Sequence, residues 1–131
     1  GGVLTLSAVG QSYAQTFCGN CYVGIVTAGD GSGFHSRERD ILATQLSKAG
    51  VLVSQSWSGP SKVHDARRSC EGVQIQSPLV AGCSDGTKQF AVKSIVAWLK
   101  ETQGATIALE RVWHFDDREN NIEPFRGTGM N

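Results

Sequence analysis

The chain has 131 residues, twelve Lys and Arg balanced by twelve Asp and Glu, and 18% charged residues in all. That length supports one domain with a single core of two helices and four or five strands. The neutral balance argues against general electrostatic attraction to nucleic acid or an anionic membrane, and no apolar run approaches the roughly 20 residues that span a bilayer.

The chain opens at Gly1-Gly2 without a charged-then-apolar leader, so a soluble protein is expected, its signal peptide already removed or never present. Four cysteines and sixteen glycines fit a secreted, disulfide-stapled domain better than an average cytoplasmic one, which stays as the alternative.

Val3 to Val9 reads as an edge strand with Leu4, Leu6 and Ala8 on one face, and Gln11 to Asn20 as turns. Tyr22 to Val26 is apolar on both faces, as expected of a central strand. Ala28 to Gly33 is a glycine loop. Ser36 can cap a helix through Ala49, with Ile41, Leu42, Leu46 and Ala49 as its buried stripe and Gly50 as its stop. Val51, Val53 and Trp57 mark one face of the next strand.

From Val73 to Phe115 the pattern is clearest. Val73-Gln74-Ile75-Gln76-Ser77 alternates apolar and polar residues, which predicts a half-exposed strand. Ser84 or Asp85 can accept hydrogen bonds from the free amides of a helix start. Val92, Ile95, Val96 and Leu99 then fall on one helical side, Lys88, Lys93 and Lys100 point elsewhere, and Gly104 is placed to end the helix. Thr106 to Phe115 alternates again, with Ile107, Leu109, Trp113 and Phe115 on one face. Residues 115–131 form a C-terminal tail, polar from Asp116 on, anchored by Ile122, Pro124 and Phe125.

Ser58 to Gly72 decides the fold class, because Pro60 can start a short helix in which Val63, Ala66 and Cys70 share a face. With a helix there, the order is strand-helix repeated, a three-layer doubly wound, flavodoxin-like sheet. With a loop, the order from Tyr22 onward is β-α-β-β-α-β, a ferredoxin-like two-layer α/β sandwich with an extra N-terminal strand. Strands covered on both faces read as continuous apolar runs, whereas Val51 to Trp57 and Val73 to Gln76 alternate. The ferredoxin-like two-layer sandwich is therefore the expectation.

An extended stretch from 73 to 82 would hold Cys70 and Cys83 beyond the roughly 4.4 to 6.8 Å that a disulfide spans between Cα atoms. Cys18 and Cys21 would then each pair with one of them, or pair with each other and leave Cys70 and Cys83 free.

Several motifs carry possible chemistry. Gln15 to Tyr22 resembles the segment around the papain-family nucleophile, which implies Gln15 as oxyanion donor and Cys21 as nucleophile. The likeness covers eight residues, and a strand rather than a long helix follows Cys21. Cys18-Gly19-Asn20-Cys21 has the spacing of a thioredoxin-type redox pair, again without the helix that lowers a thiol pKa there. A structural disulfide outweighs both readings.

Gly29, Asp30, Gly31, Ser32 and Gly33, before a helix whose first turn carries Arg37 and Arg39, could cradle a phosphate, but the spacing matches neither a dinucleotide fingerprint nor a Walker loop. His114, Asp116 and Asp117 carry metal-ligand chemistry, yet nothing completes a site, so they read as a solvated acidic strand end. Lys62, His64, Arg67 and Arg68 form a basic cluster diluted by Asp65 and Glu71. No metal or cofactor is expected.

Ser69 to Val73, Cys83, Asp85, the helix from Val92 to Leu99 and the strand from Ala105 resemble the second half of small secreted fungal killer-toxin-like and effector proteins, which are α/β sandwiches. The resemblance implies a secreted protein acting by binding a surface or channel target. The leading expectation is accordingly a disulfide-stabilised binding protein whose partner is a protein or cell-surface target. Its contact surface would be the loops Gly29 to His35 and Ser58 to Arg68, since loops on a rigid sandwich are free to vary. The competing expectations are an intracellular domain binding an anion at Gly29 to Gly33, and a thiol enzyme using Cys21.

Overall fold

The computed structural model describes residues 8–28, 41, 44–45, 61–62, 68–75 and 77–131. The expected strand at 51–57 and the strand residues before Ala8 lie outside these. Within the helix expected from Ser36, Ile41, Thr44 and Gln45 are helical.

The sheet is built on a run that is apolar on both faces, the pattern of a strand covered on both sides. Helix α1 (Ala8–Gln11) precedes β1 (Ile25–Val26), followed by β2 (Ser61–Lys62) and β3 (Leu79–Ala81), and the three strands lie in the order β1-β3-β2. Both outer strands run parallel to β3, with Ile25 opposite Leu79 and Ser61 opposite Val80. Leu79 and Val80 are almost fully buried. The class is mixed α/β, and β3, rather than the expected Tyr22 to Val26, takes the centre among the described strands.

The strand expected at Val73 to Ser77 is displaced. Residues 73–75 carry no ladder, although Val73 and Ile75 pack against the core. This also overturns the expectation that Cys70 and Cys83 stand too far apart to bond. They are paired, with Cα atoms 5.3 Å apart, and Cys18 is paired with Cys21.

The extended span that would separate Cys70 from Cys83 never forms. The chain turns at Glu71 and Gly72, the latter at φ 69°, a left-handed value open to glycine. It then bends at Ser77 and Pro78 and comes back past its own start. Arg68 N–H donates to the Gly82 carbonyl at 3.0 Å, and Ser84 N–H to the Arg68 carbonyl at 2.8 Å.

Both sulfurs of this second disulfide sit in the main core beside Val80, Ala91, Ile95 and Leu99. The Cys70→Ser/Cys83→Ser double variant should lose about 3 kcal/mol, the loop-entropy value for a ring of this size. Urea unfolding of the double variant checks it; a midpoint equal to that of the parent would contradict the core role.

Helix α2 (Lys88–Gln103) buries Ala91, Val92, Ile95 and Leu99, the stripe expected from the periodicity, with Val96 half-buried. It ends as expected at Gly104, φ 66°, whose N–H donates to the Lys100 carbonyl at 3.1 Å. Its start differs from expectation. Thr87, not Ser84 or Asp85, is the capping residue, and no side chain caps the first amides. Thr87 Oγ1 instead accepts from Cys70 N–H at 3.2 Å, which ties the helix start to the buried disulfide. Lys88 is buried, where an outward lysine was expected.

The second alternating segment is not a strand. A 3-10 turn at Leu109–Arg111 interrupts it and shifts its phase. Val112 swings inward, while Trp113 and Phe115 swing out to 50% and 69% exposure. The C-terminus closes on this segment: Asn131 N–H donates to the Val112 carbonyl and the Asn131 carbonyl accepts from His114 N–H, both at 2.9 Å. Helix α3 (Glu119–Ile122) and the turn after it carry Phe125 and Met130 into a second core with Val92 and Val112. Residues 115–131 thus pack into the core through Phe125 and Met130, while the expected anchor Ile122 is partly exposed. Among the described residues no helix is long and apolar enough to cross a membrane.

Candidate functional site

Two features stand out around α2: a buried polar lock at its N-terminal end, and an open apolar cleft along its side. The lock is centred on Asn121, which is fully buried. Its Nδ2 donates to Asp85 Oδ1 and Asp116 Oδ1, each at 3.1 Å, and its Oδ1 accepts from Gly86 N–H at 2.9 Å. Lys88 Nζ donates to Asp116 Oδ2 at 2.6 Å, with side chains 10% and 6% exposed. Arg118 adds its backbone N–H to Asp116 and its guanidinium to Asp85.

Burial alone would raise the Asp116 pKa. The hydrogen bonds from Lys88, Asn121 and the Arg118 backbone outweigh it and hold the carboxyl well below the usual carboxylate range. The Asn121 hydrogen bond also lowers the Asp85 pKa, assisted by Arg118. His114 stacks on Phe125 with ring centroids 4.4 Å apart. Its Nε2 lies 3.4 Å from Asp116 Oδ2 without completing a hydrogen bond. Burial lowers the His114 pKa despite the nearby carboxylate, so the imidazole is neutral at pH 7.

This arrangement corrects the expectation of a solvated acidic strand end, because Asp116 is enclosed and its cation is Lys88. Asp117 is exposed, and among the described residues no group of three His, Cys, Asp or Glu could hold a metal ion. The lock joins the tail to the start of α2, a structural role.

The cleft encloses about 530 Å³. One wall is the side of α2, with Val92, Ile95, Val96 and Leu99; Ile107 and Val112 continue it. The other wall is the segment with Tyr13, the Cys18–Cys21 disulfide and Tyr22, leading into β1. Arg111 and His114 supply polar groups, and burial pushes the Tyr13 phenol up, so it stays a donor. Tyr22, Trp113 and Phe115 line the cleft while remaining more than half exposed or close to it, and Phe17 meets Trp113 edge-on with ring centroids 5.2 Å apart.

Of the residues singled out in the sequence, Gly29, Asp30, Gly31, Ser32, Gly33, His35, Arg37, His64 and Arg67 lie outside the described residues. Lys62 falls on β2, and Arg68 is exposed and bridges to Cys83. Cys21 is bonded to Cys18, so in this state it carries no thiol. The cleft was not foreseen, because a regular strand from Thr106 would have buried Trp113 and Phe115. The signal available was the Leu109-Glu110-Arg111 interruption, where a charged residue breaks the apolar face. Comparison of the chain with protein-family models, curated proteins and solved structures finds no match.

Proposed function

We propose that this is a secreted, disulfide-stabilised binding protein, killer-toxin-like or effector-like, that holds a surface target by seating an apolar segment of a partner protein in the cleft beside α2. The observation that carries this reading is Tyr22, Trp113 and Phe115 exposed along an apolar cleft, with Phe17 packed edge-on against Trp113. Contiguous exposed aromatics of this kind mark recognition surfaces, since Trp and Tyr anchors supply most of the energy of a typical interface. A chain of zero net charge has no broad field to attract a charged partner, so apolar contact carries the affinity. The two disulfides fit an oxidising compartment.

The parallel pairing on both sides of β3 supports the doubly wound arrangement over the ferredoxin-like sandwich, since helices segregated to one face go with antiparallel sheets.

Selection of displayed random peptides on the immobilised protein tests the function. Enriched peptides should carry Leu, Phe or Trp anchors, and Trp113→Ala should weaken them by about 30-fold, the effect of losing one hot-spot aromatic. Enrichment of charged peptides without apolar anchors, or unchanged binding to the variant, would contradict it.

A further inference from the structure

We propose that the Cys18–Cys21 disulfide is a thiol–disulfide exchange centre that oxidises a cysteine pair in the apolar segments the cleft captures. This rests on the binding reading above and adds a chemical step to it.

The two disulfides differ in the ways that separate a structural bridge from a reactive one. Cys70 and Cys83 are completely buried in the main core and lie 13 residues apart. Cys18 and Cys21 lie three residues apart on the wall of the open cleft, and Cys21 is partly exposed. A ring that short restrains the unfolded chain less than the longer one, so its reduction leaves more of the stability in place.

The backbone around it is held independently of the sulfur bond. Thr16 N–H donates to the Tyr13 carbonyl, Gly19 N–H to the Thr16 carbonyl and Cys21 N–H to the Cys18 carbonyl, each at 3.0 Å. A Cβ at Gly19 would overlap the Ala14 carbonyl oxygen, so the turn is tightly seated and specific to glycine. The reduced pair therefore stays in place, with its sulfurs poised to close again. Arg111, a cation, lines the same cleft as the disulfide.

The exchange runs in two displacements. A substrate thiolate attacks the more accessible Cys21 sulfur, the bond to Cys18 breaks, and Cys18 leaves as thiolate. The substrate's second thiol, deprotonated, then attacks the mixed disulfide and releases Cys21. Two electrons pass from the substrate dithiol, which becomes a disulfide, to the protein, and the two protons end on Cys18 and Cys21. A low-molecular-weight disulfide of the oxidised-glutathione class restores the starting state.

Two measurements on the full chain test this. In glutathione buffers, quenched by alkylation and read by mass, Cys18–Cys21 should open at a ratio about tenfold or more less reducing than Cys70–Cys83 requires. A peptide with one cysteine between Leu and Phe, supplied as its mixed disulfide with glutathione, should accumulate as a mixed disulfide on Cys18→Ser, where the Cys21 thiolate displaces glutathione as thiolate and the resolving sulfur is gone. On Cys21→Ser it should form about tenfold more slowly, because the remaining sulfur is buried.

The same peptide with serine in place of cysteine reports cleft binding alone and shows that both variants are folded. Equal resistance of the two disulfides, or equal trapping by the two variants, overturns the exchange proposal. Loss of serine-peptide binding in the parent protein would instead overturn the cleft reading on which it rests.

Discussion

Replacing Asp116 with alanine is expected to destabilise the protein by roughly 3–5 kcal/mol, the cost of stripping one partner from a buried ion pair. The Lys88 ammonium would be left about nine-tenths enclosed at the start of α2 without its bonded carboxylate, and Asn121 would lose one of its two acceptors. Against the 5–15 kcal/mol typical of a whole domain, this is a large part of the fold. Urea unfolding checks the value. The double change Lys88→Met/Asp116→Leu should recover most of the loss, because no charge is then stranded. A single-variant loss below about 1 kcal/mol would place the pair in the class of solvated surface bridges.

The same lock sets a pH dependence. Asp116 has a folded pKa below its unfolded value, so its contribution is present above the ordinary carboxylate range and fades as the pH falls through that range toward the folded value. His114 is shifted the same way by burial, and protonating it costs folding free energy once the pH drops below its ordinary value of 6.5. Both effects therefore lower stability on acidification. The midpoint of unfolding should decline from pH 7 downward, first with histidine protonation and more steeply below about pH 4, and a His114→Phe variant should lose the first part of that decline.

Phe125→Ala should cost a similar amount, about 3–5 kcal/mol, the range for deleting a large buried aromatic. Its ring is 4% exposed, stacks on His114, and packs with Val92, Val112 and Met130. The cavity would open between the tail and α2, so the loss should appear first as amide exchange in residues 119–131 and then as a lower global stability. Ile122→Ala, three residues earlier and exposed, should cost much less and serves as the control. Equal losses at the two positions would contradict the assignment of Phe125 as the anchor.

Helix α2 was legible in the sequence because Val92, Ile95 and Leu99 repeat at helical spacing and Gly104 ends the run. Phe125 was legible as a tail anchor. Asp116 and Asn121 were not, because their burial is made possible by one another, by Lys88 and by Asp85, partners up to 36 residues away. The cleft was hidden for a different reason. Strand alternation assigns faces by counting residues, and the single 3-10 turn at Leu109–Arg111 reverses the count for Val112, Trp113 and Phe115. Similar local reversals, the turn at Glu71 and Gly72 and the bend at Ser77 and Pro78, defeated the distance argument for Cys70 and Cys83. The expected contact loops, at 29–35 and 58–68, fall largely outside the described residues, and the cleft along α2 now carries the binding proposal.

The disulfide pattern underlies the buried core, the accessible cleft pair and the exchange proposal together, and tryptic mapping without reductant tests it most directly. No Lys or Arg separates Cys18 from Cys21 or Cys70 from Cys83, while several lie between the two pairs. The account predicts two separate peptides, Gly1 to Arg37 and Ser69 to Lys88, each lighter by two hydrogens than its dithiol and neither linked to the other. A single cross-linked species joining these two peptides, or free thiols at Cys70 and Cys83, would contradict it.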